Sequence, residues 1–268
     1  MGDEPTSEAE VHSLDDVRKR IDAIDEQVLR LVAERASLSA NVAKAKRARG
    51  ETKFGLRPAR EAEIMRSLLL AKEPQVSFEL VVGLWRQIMA DSLARQGPFH
   101  ISLWGGKNPY KTIELARMRF GSAVAMRPAN RPEDAISAAK SAGGVGILCL
   151  NSDTPWWGRL LAEPTLNVFA TLPDLRRWGQ PTALAVAQVE VEPSGRDETF
   201  WVTDAGLSPP AIIDALGQIG FAAEMLANAG GLKLFVLSGY VQREDERLQK
   251  APGSLKGVIG AASAPFDV

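Results

Sequence analysis

The sequence predicts a multi-domain chain: an all-α three-helix region, then an α/β region, then a ferredoxin-like α+β unit. Three observations predict this. Leu14, Val17, Ile21, Ile24, Val28, Leu31, Leu38, Val42 and Ala45 recur in three- and four-residue steps, the spacing of one long amphipathic helix with a packing seam. After Gly97-Pro98 the helical patterns give way to short strand-like runs separated by turn residues. From Glu198 onward the patterns read β-α-β-β-α-β, the order of a ferredoxin-like sandwich. The expected boundaries are a solvated tail at 1–12, a helical domain at 13–97, an α/β domain at 98–197 and the α+β unit at 198–268.

Each element has a local reason. The first helix starts at a Ser13 cap, with Asp15 and Asp16 favouring its N-terminus, and Gly50 is its stop signal. Residues 51–57 read as a loop. Pro58 suits the first turn of a second helix reaching about Ala71, with Glu61, Ile64, Met65 and Leu68 on its inner face. Glu73-Pro74 breaks that helix. A third helix, 77–96, carries an apolar stripe of Phe78, Val81, Trp85 and Ile88 that ends in two polar groups, Ser92 and Gln96. Strands are expected at 100–104, 122–126, 145–151, 166–171 and 182–191, and helices at 110–120 and 132–142, a mostly parallel β-α-β-α-β arrangement. The last unit is expected as strands 198–204, 222–227, 232–241 and 258–264 with helices 209–219 and 244–250.

Composition excludes several classes of function. Over 268 residues, 32 basic side chains meet 33 acidic ones, so there is no global nucleic-acid-binding character. One cysteine and two histidines leave no disulfide framework and too few soft ligands for a metal centre. No apolar run reaches the length of a membrane span, and the acidic start has no apolar core of a signal peptide. A cytoplasmic protein with no cofactor, no nucleic acid and no membrane partner is the expectation. Locally the balance is uneven. Arg35, Lys44, Lys46, Arg47, Arg49, Lys53, Arg57 and Arg60 face only Glu51 between residues 35 and 60, and without interleaved aromatics that fits a small acidic ligand better than RNA. Gly105-Gly106-Lys107 could cradle an anion, but such a run is more often a turn. Five of the six tryptophans follow residue 97, and core packing is the preferred account of them.

The seam of the first helix contains charge. Arg18, Asp25, Val32, Ser39 and Lys46 follow at intervals of seven, and Arg35 falls on the adjoining row with Val28 and Val42. A guanidinium held away from water is costly unless an anion meets it. Interhelical ion pairs are one reading and an anion site is the other; three cations together favour the anion. Arg35 and Lys46 are eleven residues apart, roughly 16 Å along the axis, so their side chains can converge on one small molecule. Arg18 is roughly 42 Å from Lys46 on a straight helix. It can reach that pocket only from another copy of the chain, which points to an intertwined dimer.

These residues resemble a known family. Leu14, Arg18, Ile21, Ile24-Asp25, Leu29 and Leu31, then Glu34-Arg35, Ala43-Lys44-Ala45-Lys46, Arg57-Pro58-x-Arg60-Glu61 and Asp91-Ser92-x-x-x-Gln96, resemble the all-helical chorismate mutases over residues 13–96. The likeness is to the mutase segment fused to prephenate dehydratase in bifunctional enzymes. It implies an isomerase of aromatic amino acid biosynthesis, acting on chorismate as a homodimer without a cofactor. Catalysis there is conformational restriction of a dianion plus stabilisation of charge on the breaking ether oxygen. By resemblance Arg35 and the partner's Arg18 bind carboxylates, Lys46 and Gln96 donate to the ether oxygen, Glu61 accepts from the ring hydroxyl, and Ser92 and Arg60 complete the pocket. Arg57 stands where some members carry an acid, which puts its substrate contact in doubt.

The rest of the chain resembles the dehydratase and its appended ACT regulatory domain at Phe120-Gly121, Val145-Gly146-Ile147, Asn151-Ser152 and Thr199-Phe200-Trp201-Val202. The departures matter more. The Thr-Arg-Phe signature is replaced by Glu198-Thr199-Phe200, and too few residues separate Ser152 from Thr199 for a second substrate lobe. The phenylalanine-binding segments of related ACT domains are absent around Gly206–Pro210 and Glu224–Asn228. A structural or regulatory tail is the expectation, with a bifunctional mutase-dehydratase or a mutase-derived ligand sensor as alternatives.

Overall fold

The computed structural model describes residues 13–50 and 55–267. The expected tail at 1–12, most of the loop at 51–57 and the side chains of Lys46 and Arg47 lie outside the described residues.

Helix α1 (Leu14–Ala48) is a single rod with Asp15 and Asp16 in its first turn, and Ser13 Oγ accepts from the Asp16 N–H at 3.2 Å, satisfying one orphan donor. Its seam faces outward. Ile21 is 51% exposed, Val28 47% and Leu31 65%, and among its described residues only Ala43 is buried. Helix α2 (Pro58–Ala71) begins with proline at its first position, where the missing N–H costs nothing. Helix α3 (Phe78–Ala94) is capped by Ser77, whose Oγ accepts from Leu80 N at 3.1 Å.

Strand β1 (His100–Trp104), helix α4 (Pro109–Phe120), strand β2 (Ala125–Pro128), helix α5 (Pro132–Ala139) and strand β3 (Gly144–Cys149) form the expected parallel β-α-β-α-β order, with β1 between β2 and β3. Strand β2 starts later than expected because the Ser122 N–H is taken by Gln87 Oε1 of α3 at 3.1 Å. It is an edge strand, which is why Pro128 is tolerated there. Strands β4 (Asn167–Leu172) and β5 (Ala183–Ala187) pair antiparallel, and β5 pairs antiparallel with β3.

Strand β6 (Asp197–Thr203), helix α6 (Pro209–Gln218), strands β7 (Ala223–Ala229) and β8 (Leu232–Ser238), and strand β9 (Lys256–Ser263) follow. The segment expected as a helix at 244–250 is a 3-10 turn at Glu246–Lys250. Asp245 takes the Arg247 N–H onto its own carboxylate at 3.0 Å, and Pro252-Gly253 stops any continuation.

The nine strands of the described residues form one mixed sheet in the order β2-β1-β3-β5-β4-β9-β6-β8-β7. The expected division at 197/198 therefore falls inside a continuous sheet. Its two halves meet where Val168 of β4 pairs in parallel with Gly260 of β9. Gly260 has φ +143°, and a Cβ there would lie 2.2 Å from the Val168 carbonyl oxygen, so only glycine permits this approach.

The core has four parts. One lies between the sheet and α3 and α4 around Phe120 and Phe169. A second, on the opposite face, contains Trp156, Trp157 and Phe200, and a third packs α6 against Trp201 and Phe235. These three tryptophans are fully buried, as core packing requires. The fourth joins α2 and α3 to Leu175 and Phe266 of the α/β region. The two shorter helices thus share a core with the sheet, and α1 does not.

Candidate active site

Where α1 crosses α3, three of the residues expected at the site, Arg35, Ser92 and Gln96, meet around Ser92. The Arg35 guanidinium donates from Nη1 to Ser92 Oγ at 2.7 Å. Ser39, one turn further along α1, places its Oγ 3.2 Å from Ser92 Oγ and 3.0 Å from the Arg35 carbonyl. Ser92 in turn donates to the Ile88 carbonyl at 2.8 Å. Its hydroxyl hydrogen is thereby committed, and its lone pairs face Arg35 and Ser39. Gln96 follows one turn later, donating from Nε2 to the Ser92 carbonyl at 3.1 Å. Its Oε1 lies 2.5 Å from where a Cβ on Gly55 would stand, so the glycine keeps this corner open. A cavity of about 280 Å³ flanks the junction, lined by Val32, Arg35, Ile88, Asp91, Ser92 and Val124. Val124 belongs to the α/β region, so that wall is not made by the helices alone.

The other expected residues lie elsewhere. Arg18 is exposed and pairs with Asp15 at 3.5 Å; it is seventeen residues from Arg35, roughly 26 Å along the helix. Arg57 is exposed, and Arg60 pairs with Glu63 at 3.1 Å on the surface. Lys46 lies on the last turns of α1, and its side chain is outside the described residues.

Glu61 is engaged in a cluster of four charges. Its Oε2 accepts from Arg86 Nη1 of α3 at 3.1 Å and from Arg119 Nη2 of α4 at 2.8 Å. Asp174, in the loop after β4, lies 2.5 Å from Arg86 Nη2 and 3.6 Å from Arg119 Nε. Arg86 and Arg119 are 3% and 6% exposed. Two cations meet two acids, which is the condition for holding such charges out of water. Burial lowers the pKa of the Arg119 guanidinium, and the charge of Arg86 lowers it further, against the opposing pull of Glu61 and Asp174. Arg86 and Ser92 are six residues apart on α3, roughly 9 Å along the axis and about a third of a turn around it. The Glu61 cluster and the Arg35 junction therefore grip α3 from different sides.

Sequence reasoning placed Ser39 on the heptad row without giving it a role, and it missed Arg86, Arg119 and Asp174. Arg86 had a signal: it interrupts the buried stripe Val82, Met89 and Leu93 of α3. Arg119 and Asp174 had none, because their partners are remote in sequence. Among the described residues no group of His, Cys, Asp or Glu is arranged to hold a metal ion, and no helix is long and apolar enough to cross a membrane.

Comparison with known proteins bears on the same stretch. Residues 17–97 match the family model described as chorismate mutase type II, so the helical region is a domain of that family. A bifunctional chorismate mutase/prephenate dehydratase of Pseudomonas aeruginosa is 32% identical over 123 residues, covering 45% of this chain and 33% of that protein. One from Stutzerimonas stutzeri is 30% identical over the same length and shares. The match thus spans about a third of the length of these curated relatives. Among solved structures, a prephenate dehydratase from Streptococcus mutans aligns at TM-score 0.34 and 12% identity over 63% of this chain and 100% of that one.

Proposed function

Starting from a type II chorismate mutase domain at residues 17–97, we propose that the protein rearranges chorismate to prephenate as an intertwined homodimer. The observation that carries this reading is the Arg35–Ser92–Gln96 junction. Ser92 is the meeting point: Arg35 of α1 donates to its hydroxyl, and Gln96, in the turn just after α3, donates to its carbonyl, with the Arg35 cation lining a cavity.

The reaction is pericyclic and needs neither nucleophile nor proton transfer. The site has to hold a dianion in its folded, pseudo-diaxial conformer and stabilise negative charge growing on the ether oxygen. Arg35 takes one carboxylate and the partner's Arg18 the other. Lys46 and Gln96 donate to the ether oxygen, Glu61 accepts from the ring hydroxyl, Ser92 orients Arg35, and Arg60 with Arg57 lines the entrance. A rate enhancement on the order of a millionfold requires ~8 kcal/mol of preference for the transition state. Gln96 donates without a proton of its own to lose, so activity is expected at neutral pH with no requirement for acid.

The exposed seam of α1 supports the dimer. Leu14, Val17, Ile21, Ile24, Val28, Leu31, Leu38 and Val42 all face outward. Burying a side chain of this kind contributes roughly 1.5–3 kcal/mol, and a second copy of the helix supplies a surface of matching period. A second chain would also bring an Arg18 to the site that its own helix cannot reach. The α/β region is assigned a structural or regulatory role in the cytoplasm, its last four strands forming an ACT-like unit in the order β9-β6-β8-β7.

Incubation of the purified protein with chorismate tests the reading: prephenate should form, at a rate lost in Arg35→Ala. Incubation with prephenate should give no phenylpyruvate. Phenylpyruvate would show a bifunctional enzyme, and neither product would leave a ligand sensor.

A further inference from the structure

A small cavity of about 60 Å³ lies against strands β4, β6, β7 and β8 and the loop after β4, and it shares no lining residue with the cavity beside Arg35. Thr171, Arg176, Glu198 and Glu224 give it polar walls, and Leu226 and Val236 give it apolar ones. We infer that this cavity binds a small primary ammonium ion on a short alkyl stem, held by Glu198, Glu224 and the Thr171 hydroxyl. The site is independent of the mutase reading.

Thr171 is 1% exposed, and its Oγ1 is buried with no hydrogen-bond partner. Its neighbours Ala170 and Leu172 both belong to the core that contains Phe120, so the alternation of a strand turns Thr171 to the opposite face, where it lines the cavity. A buried hydroxyl left unmatched costs free energy that a ligand restores. Glu198 reaches the same face by the same rule, because Phe200 and Val202, two and four residues on, pack in the core that contains Trp156 and Trp157. Glu224 lies opposite Val236 in the β7 and β8 ladder, and Val236 packs against that core too. The fold therefore sets two carboxylates and a hydroxyl around one small space. Burial raises the pKa of the Glu198 carboxyl, with Arg176 and Arg196 opposing the shift and Glu224 adding to it. Arg176 is shared with Asp267, 3.8 Å from its Nε, so it offsets the two acids only in part.

A primary ammonium suits this set for two reasons. It carries three N–H donors and no acceptor, one donor for each of the three groups, and its charge relieves the repulsion between the carboxylates. An anion would add to that repulsion, and a neutral alcohol would leave it in place. A quaternary ammonium has the charge but nothing to donate. Leu226 and Val236 give a short alkyl stem an apolar surface.

The test is a titration of the full chain with ethylammonium, followed by saturation-transfer NMR, beside thermal unfolding of the protein without ligand. Three non-hydrogen atoms reach a Kd of about 1 mM at best, so saturable binding is expected at low millimolar concentration. Glu198→Gln should weaken it about tenfold or more and Thr171→Val several-fold, and tetramethylammonium should not displace it. Without ligand, both variants should melt about 2 °C above the wild type, because each removes a polar group that the protein itself leaves poorly matched. A structural role gives the opposite pattern. If Glu198 serves only to pair with Arg176, Glu198→Gln melts lower and binds ethylammonium as the wild type does, which would overturn the inference. Displacement by tetramethylammonium, or no saturable binding to the wild type, would overturn it as well. Glu224→Gln, on the exposed wall of the cavity, takes the place of either variant that does not fold, and should weaken binding several-fold.

Discussion

Helix α1 and the nine-stranded sheet are built by opposite logics. Strand β3 is buried at every position and β5 likewise. Over its 35 residues α1 buries one described side chain, Ala43, although its apolar pattern is the most regular in the chain. Continuous burial specifies a strand inside its own molecule. A periodic seam left open is what the proposed dimer would cover, and the proposed site draws Arg18, Arg35 and Lys46 from the same helix. The sheet's interactions stabilise a protomer. The apolar seam of α1 remains exposed in the protomer.

That contrast breaks most sharply at Lys46. If α1 exists to present charge to a substrate, Lys46→Ala should lower kcat by 10²–10³, the cost of losing a donor aimed at developing charge, while thermal unfolding moves little. A loss of stability with unchanged kcat would instead put Lys46 among surface ion pairs. Steady-state kinetics with chorismate beside a thermal melt separates the two.

Gly260 tests the sheet side. It has φ +143°, and an added Cβ would stand 2.2 Å and 2.4 Å from backbone atoms of Val168. Gly260→Ala should destabilise by about 3 kcal/mol from strain and overlap together, read as a fall in denaturant midpoint that is independent of protein concentration. Leu31→Ala in the seam of α1 should behave the other way. It should lower the midpoint only to the extent that dimers are lost, so the shift should grow on dilution. Equal, concentration-independent shifts at both positions would break the comparison.

What could be read from the sequence divides along the same line. The extent of α1 and its seam follow from helical periods and spacing, which are local, whereas the placing of Ser92 and Gln96 in one pocket with Arg35 came from the family resemblance, Arg35 and Ser92 being 57 residues apart. The joining of the sheet is not local: β4 pairs with β9 more than 90 residues later, and nothing near Val168 announces Gly260. The Glu61 cluster shows the same limit. Its place on the inner face of α2 was legible, but Arg119 and Asp174 reach it through the tertiary fold. Helix 244–250 failed for a local reason, since Asp245 caps a turn that Pro252-Gly253 will not let extend.

The proposed division of Arg18 and Arg35 between two protomers can be tested by mixing. Arg18→Ala and Arg35→Ala homodimers should each be nearly inactive. After equal amounts are unfolded and refolded together, half of the dimers pair one of each, and one of the two sites in those dimers is intact. Activity should return to about a quarter of wild type. Mixtures no more active than their parents would place both arginines in one protomer's site, or in none.

The smallest effect expected is at Gly55, and it isolates Gln96. An added Cβ would fall 2.5 Å from Gln96 Oε1 and 3.5 Å from Leu93 Cδ1. The second contact is ordinary packing, and the first is with the end of a flexible side chain, so Gly55→Ala should change stability by less than about 1 kcal/mol. The amide must nevertheless turn away, and its donor turns with it. If that donor faces the ether oxygen, kcat should fall a few-fold with KM nearly unchanged, because the interaction strengthens only as charge develops. A rise in KM alone would mean that Gln96 holds the ground state instead. The pH profile discriminates further: a neutral amide should leave the activity of both proteins flat through neutral pH, since no proton on residue 96 is gained or lost there.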